Sequence, residues 1–180
     1  MAEETLRPNA NGDNSECMGS DSNQTDNYQL VDEASANDSD YVHSNGLNSW
    51  TLDLYGMPDT AIPTGSTINK ITFYARLSDL LSASYASCKF AYKSGGTTYY
   101  SSAITVSTSW AQKSWEQTTN QKTSAAWTID DINALQAGVS LYQADKAAAG
   151  MCSQLWIVID YTEGSGGLAK KHHYYQKMMG

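Results

Sequence analysis

Between Ile68 and Leu77 apolar and polar side chains alternate. Ile71, Phe73, Ala75 and Leu77 fall on one side, and Lys70, Thr72, Tyr74 and Arg76 on the other. Only an extended chain, whose successive side chains point to opposite faces, buries the first set while leaving the second in water. The stretch is therefore read as a strand in a sheet with one covered face. Shorter segments repeat the pattern: Tyr28–Glu33 alternates, as does Ser49–Tyr55, with Trp50, Leu52 and Leu54 on one face. Cys88–Lys93 and Thr98–Ser101 flank Ser94-Gly95-Gly96-Thr97, where the glycine pair signals a hairpin. Further strands are expected at Ala103–Ser107, Ser109–Thr118, Ser140–Ala144 and Met151–Thr162. The last is apolar on both faces, which suits a central strand covered on both sides. About eight to ten short strands divided by turn residues predict an all-β fold, a jelly-roll-like β-sandwich.

Composition points the same way. With 22 Ser, 16 Thr and 11 Asn against only 17% charged residues, hydroxyl and amide groups replace charge on much of the surface. Twelve Tyr and five Trp against two Phe favour pleated, half-buried surfaces over helices. One short helix is expected near 129–137. Thr128 is a natural N-cap with Asp131 three residues on, Ile132 and Leu135 supply an apolar stripe, and Gly138 closes the segment. Asp130 and Asp131 then serve the helix dipole.

The formal charge of -8 is unevenly spread. Residues 1–60 carry 12 acids and one base (Arg7), residues 61–163 balance seven against seven, and residues 164–180 carry three lysines and no acid. Three regions follow: an acidic, loop-rich N-terminal segment (1–27), a β-sandwich domain (28–163), and a Gly-rich linker with a basic C-terminal tail (164–180). An acidic front third repels a phosphate backbone, which excludes nucleic acid as a partner of the body. The longest apolar run, Leu155–Ile159, is far too short to span a bilayer, so no membrane role is expected. The opening Met-Ala-Glu-Glu lacks the basic and apolar regions of an export signal. Cys17, Cys88 and Cys152 have no C-x-x-C spacing and read as reduced structural thiols. Together these predict a chain that folds in a cytoplasm.

Catalytic chemistry is thinly represented. His43 sits at a strand end, His172 and His173 lie in the tail, and no H-E-x-x-H, G-x-S-x-G or P-loop occurs. The expectation is a non-enzymatic protein with no catalytic residues, no metal and no cofactor. Asp38-x-Asp40 and Asn11-Gly12-Asp13-Asn14 offer oxygens to calcium but lack the remaining ligands of a loop site, and read as solvated surface. Two candidate surfaces remain. Tyr74, Tyr92, Tyr99, Tyr100, Trp110 and Trp115 include rings that must fall on outward strand faces, where planar rings stack on sugars or pack between subunits. Tyr174, Tyr175, Met178 and Met179 are candidate anchors in a partner interface, with Lys170, Lys171 and Lys177 steering and His172 and His173 between them.

The segment Ala126–Val139, with Val158–Thr162 behind it and Thr5–Asn9, Val31–Glu33 and Tyr41-Val42 before it, resembles jelly-roll domains of phage virion structural proteins. The resemblance covers residues 5–162 and brings no functional residue with it. It implies a virion structural protein, assembled in the host cytoplasm. The expected role is capsid decoration (cement) or head association. Such a protein would self-associate, with a trimer as one arrangement, and dock its tail on the major capsid protein or a neighbouring subunit. The alternatives are a glycan- or receptor-binding module of a tail fibre or adhesin, and a subunit of an extracellular filament.

Overall fold

In a computed structural model describing residues 1–80, 86–145 and 148–164, the chain folds as a jelly-roll-like β-sandwich. In chain order the elements are β1 (Ala2–Leu6), β2 (Ala10–Ser15), β3 (Met18–Gly19), a 3-10 turn (Asn27–Leu30), β4 (Val42–His43), β5 (Ser49–Gly56) and β6 (Thr67–Asp79). There follow β7 (Ser87–Ser94), β8 (Thr97–Tyr100), β9 (Ile104–Thr105), β10 (Ala111–Gln117), α1 (Ile129–Asn133), β11 (Gln136–Asp145) and β12 (Ala148–Thr162). All ladders between these strands are antiparallel.

The spine is β12. In the first sheet it pairs with β6, which pairs in turn with β10, and on its other side with β1 and β4. At its start β12 also pairs with β11, the centre of a second sheet ordered β2-β5-β11-β7, with β8 and β9 beyond β7. The core lies between the sheets. Ile71, Phe73, Ala75 and Leu77 face it from β6, as alternation predicts, and Leu155, Ile157 and Ile159 from β12. A bulge between Cys152 and Gln154 lets Cys152 join this inner set while Ser153 turns out to Asp38.

The hairpin forms as expected, with Ala91 opposite Tyr100 and both Gly95 (φ 54°) and Gly96 (φ 82°) in the left-handed region that its two-residue turn requires. The capping box also forms: Asp131 N–H donates to Thr128 Oγ1 (3.1 Å) and Thr128 N–H donates to Asp131 Oδ2 (3.0 Å). The helix stops at Asn133, however, instead of running to 137. Gln136 already pairs with both β5 and β7, and Ala137, Val139 and Leu141 alternate into the core. Gly138 is thus a strand residue, placed where a Cβ would lie 1.9 Å from the Asp53 carbonyl oxygen.

Three local expectations give way. Tyr28–Glu33 is no strand: a 3-10 turn begins after Asp26, whose φ of 56° breaks the extended chain. The Asn- and Gly-rich stretch after Pro8 does form strands, because β5 and β4 supply partners for β2 and β3, while β1 pairs with β12. The outward and inward faces of β5 are the reverse of what apolarity suggests. Thr51, Asp53 and Tyr55 point inward, while Leu52 and Leu54 join Ala91 in a second, separate buried apolar cluster on the other face.

Candidate functional site

The inversion of β5 is made possible by Asp53, which is fully buried. Its Oδ1 accepts the backbone N–H groups of Glu16 (2.7 Å) and Cys17 (2.8 Å), and its Oδ2 accepts from Asn27 Nδ2 (2.7 Å) and the Tyr55 hydroxyl (3.0 Å). Four donors replace the water that burial removes. Asp53 therefore ties residues 16–27 to the sheet edge and leaves the apolar side of β5 on the face away from the main core, where Leu52 and Leu54 are still buried.

On that outer face the register builds rows across the second sheet. Trp50 stands opposite Tyr142, and Leu52 is in line with Ser140 and Lys89. Leu54, Gly138, Ala91 and Tyr100 form the next row. Small residues in mid-row and large ones at the margin leave an open depression of about 380 Å³ lined by Asn14, Glu16, Trp50, Leu52, Lys89, Tyr100 and Ser140. The Trp50 and Tyr142 rings lie 5.2 Å apart and tilted by 40°. Lys89 Nζ sits 4.0 Å over the Trp50 ring and 5.9 Å from that of Tyr100, which is 45% exposed. Glu16 is held at the rim, Oε2 accepting the Leu52 N–H (2.9 Å) and Oε1 the Asn14 amide (3.3 Å). Burial, with Glu16 near, pushes the Tyr100 phenol upward, so it remains a hydroxyl donor at neutral pH.

The six aromatics chosen from sequence separate. Tyr100 belongs to this depression. Tyr92 is fully buried in the core; Trp115 and Tyr99 pack beside it, with ring centroids 5.5 and 5.2 Å away. These three rings are interior, because β7, β8 and β10 turn that side toward the opposite sheet. Tyr74 is outside but stacks on Trp156 (5.1 Å, 8°) on the first sheet, and Trp110 lies 6.0 Å from Tyr41. Trp50, Tyr142 and Lys89 were not among the sequence candidates. Their meeting depends on the β5–β11–β7 register, which no single segment displays. The tail candidates Lys170, Lys171, His172, His173, Tyr174, Tyr175, Lys177, Met178 and Met179 lie outside the described residues.

Other chemistry on the described residues is quiet. His43 Nδ1 lies 2.9 Å from the carbonyl oxygen of Ser44, its neighbour in sequence. All three cysteines are free and buried. Burial raises the Cys17 and Cys88 thiols well above their ordinary range and pushes Cys152 up to about 12, so none is a ready nucleophile. Asp38 is engaged by Arg76 (2.7 and 2.8 Å), Asp40 by Asn37 (2.6 Å) and Asp13 by Lys93. Among the described residues no group of three His, Cys, Asp or Glu is placed to hold a metal ion, and no helix is long and apolar enough to cross a membrane.

No protein-family model and no curated protein matches the chain. Among solved structures it is similar to the carbohydrate-binding module CBM6cm-2 from Cellvibrio mixtus lichenase 5A in complex with cellotriose. That match has 10% identity and a TM-score of 0.43, over 91% of this chain and 100% of that one. It is similar also to the family 11 carbohydrate-binding module of Clostridium thermocellum Lic26A-Cel5E (16% identity, TM-score 0.38, 66% and 72% of the two chains). A third likeness is to the CBM22-1 xylan-binding domain of Paenibacillus barcinonensis Xyn10C (13%, TM-score 0.32, 69% and 88%). None of these three is a phage virion protein, and likenesses this distant identify no ligand.

Proposed function

We propose that the chain is a non-catalytic glycan-binding module and that the depression on the outer face of the second sheet is its binding site. The observation that carries this reading is the meeting of the exposed Tyr100 ring and the half-buried Trp50, backed by Tyr142, with polar groups (Glu16, Asn14, Lys89, Ser140) around an open depression. A pyranose has the matching character, an apolar C–H face for ring stacking and a rim of hydroxyls for hydrogen bonds. An open site on a sheet suits a chain ligand that enters and leaves sideways. The same module would serve a tail fibre or adhesin. The decoration role and the virion setting rest on the sequence resemblance and on the tail, and the depression adds nothing to them.

The test is a glycan array probed with the full chain, followed by titration calorimetry on the best hit. Binding that Trp50→Ala removes, with thermal unfolding of the variant still cooperative, supports the reading. A blank array, or a Trp50→Ala variant that binds like the parent, sinks it.

A further inference from the structure

Three cations of the sandwich, one of them on the same face of β7 as Lys89, are each paired with a carboxylate. Lys93 is neutralised by Asp13, Lys70 by Glu116 and Arg76 by Asp38. Lys89 points into the depression, half-buried, and the groups recorded against its ammonium are the faces of Trp50 and Tyr100, not a carboxylate. Ring faces attract a cation but do not neutralise it, and partial burial weakens its hydration. Glu16, the other charged group of the depression, is already turned to the Leu52 N–H and the Asn14 amide. We infer that the site prefers an anionic glycan, a uronic-acid polymer whose carboxylate pairs with Lys89 while its hydroxyls meet Glu16 and Asn14.

This inference rests on the glycan-binding reading and narrows it. The depression is polar along its length, cationic at the Lys89 end and anionic at the Glu16 rim, so an acidic sugar can lie in it only one way round. The missing anion is supplied by the ligand, and a charge-assisted hydrogen bond between ammonium and carboxylate forms beside rings that shield it from water. The net charge of -8 opposes any polyanion at long range. Selectivity therefore has to come from the local contact, and added salt relieves the general repulsion while weakening the pair only in part.

The experiment compares oligogalacturonate and oligomannuronate with the same oligomers after reduction of their carboxyl groups, on the full chain and on Lys89→Met, which keeps the stem and removes the charge. The expected result is about tenfold tighter binding of at least one acidic oligomer than of its reduced form, the effect of one charge-assisted hydrogen bond. Lys89→Met should abolish that preference without lowering the melting temperature appreciably. Equal binding of acidic and reduced forms, or a preference surviving in Lys89→Met, overturns the inference and leaves the glycan-binding reading standing. Binding of sulfated oligomers with no binding of uronates overturns the assignment of the anion. Should the array above be blank as well, both readings fall together.

Discussion

On the outer face of the first sheet, Tyr74 and Trp156 stand opposite each other across β6 and β12. On the outer face of the second, Trp50 and Tyr142 stand opposite each other across β5 and β11. The first pair is complete in itself. Its rings are parallel to within 8°, the Arg7 guanidinium lies 5.4 Å from the centroid of Trp156, and Arg7 is fixed by donating to the Glu33 carbonyl (2.6 Å). Ion pairs Lys70–Glu116 and Arg76–Asp38 flank it. The second pair is tilted by 40°, and the cation beside it is shared between two rings around an open depression. Two aromatic pairs of the same kind thus sit in different surroundings: the neighbours of the first meet its needs, and under the proposed function the second, with its cation unpaired among the described residues, is the one that meets a ligand.

The largest expected effect comes from removing what orients the second face. Asp53→Ala leaves the Cys17 N–H, one Asn27 amide N–H and the Tyr55 hydroxyl without their acceptor, and the Glu16 N–H with only its longer bond to the Leu52 carbonyl (3.2 Å). It should cost at least about 3 kcal/mol in chemical denaturation, since each orphaned buried donor costs about 1–3 kcal/mol. It should also weaken ligand binding, because the Glu16 backbone is then held only by Leu52. A variant of parental stability would show that Asp53 does not hold the edge.

Next in size is a matched pair of truncations. Trp156→Ala should lose about 2 kcal/mol, less than a fully buried Trp because the ring is half-buried, and leave ligand affinity unchanged. Trp50→Ala should lose about 1 kcal/mol, the worth of one cross-strand aromatic pair, and remove binding. If the two swap their effects, the division between the faces is wrong. The smallest effect belongs to Arg76→Ala, which breaks an exposed pair worth less than about 1 kcal/mol. The Arg76 guanidinium holds the Asp38 carboxyl below its usual range. This contribution is therefore fully present above the ordinary carboxylate pKa and is lost as the pH falls through the depressed value. The difference in melting temperature between parent and variant should shrink with acidification; a difference that grows would contradict the pairing.

Much of the sandwich was legible in the sequence because local chemistry and tertiary packing agree there. The alternation of β6, the glycine hairpin and the Thr128 capping box each need no distant partner to be recognised. Strand β2 was illegible because Asn, Gly and Asp make poor strands until β5 provides a ladder. The inner face of β5 was misread because Leu52 and Leu54 are more apolar than Thr51 and Asp53, and the four donors that overturn that preference come from residues 16–17, 27 and 55. The site was legible only at Tyr100. Its other members, Trp50, Lys89 and Tyr142, lie on three strands, and no period within one strand tells which ring meets which cation.

The pairing of β1 with β12 puts Ala2 opposite Tyr161 and Leu6 opposite Ile157. Tension applied through residues 2 and 161 therefore loads the ladder at one end, opening it a pair at a time as a zipper opens, instead of shearing all its hydrogen bonds together. The sandwich should resist heat far better than it resists being pulled from these two points. A ligand chain lying across β5, β11 and β7 would transmit its load elsewhere, to the interior of the second sheet.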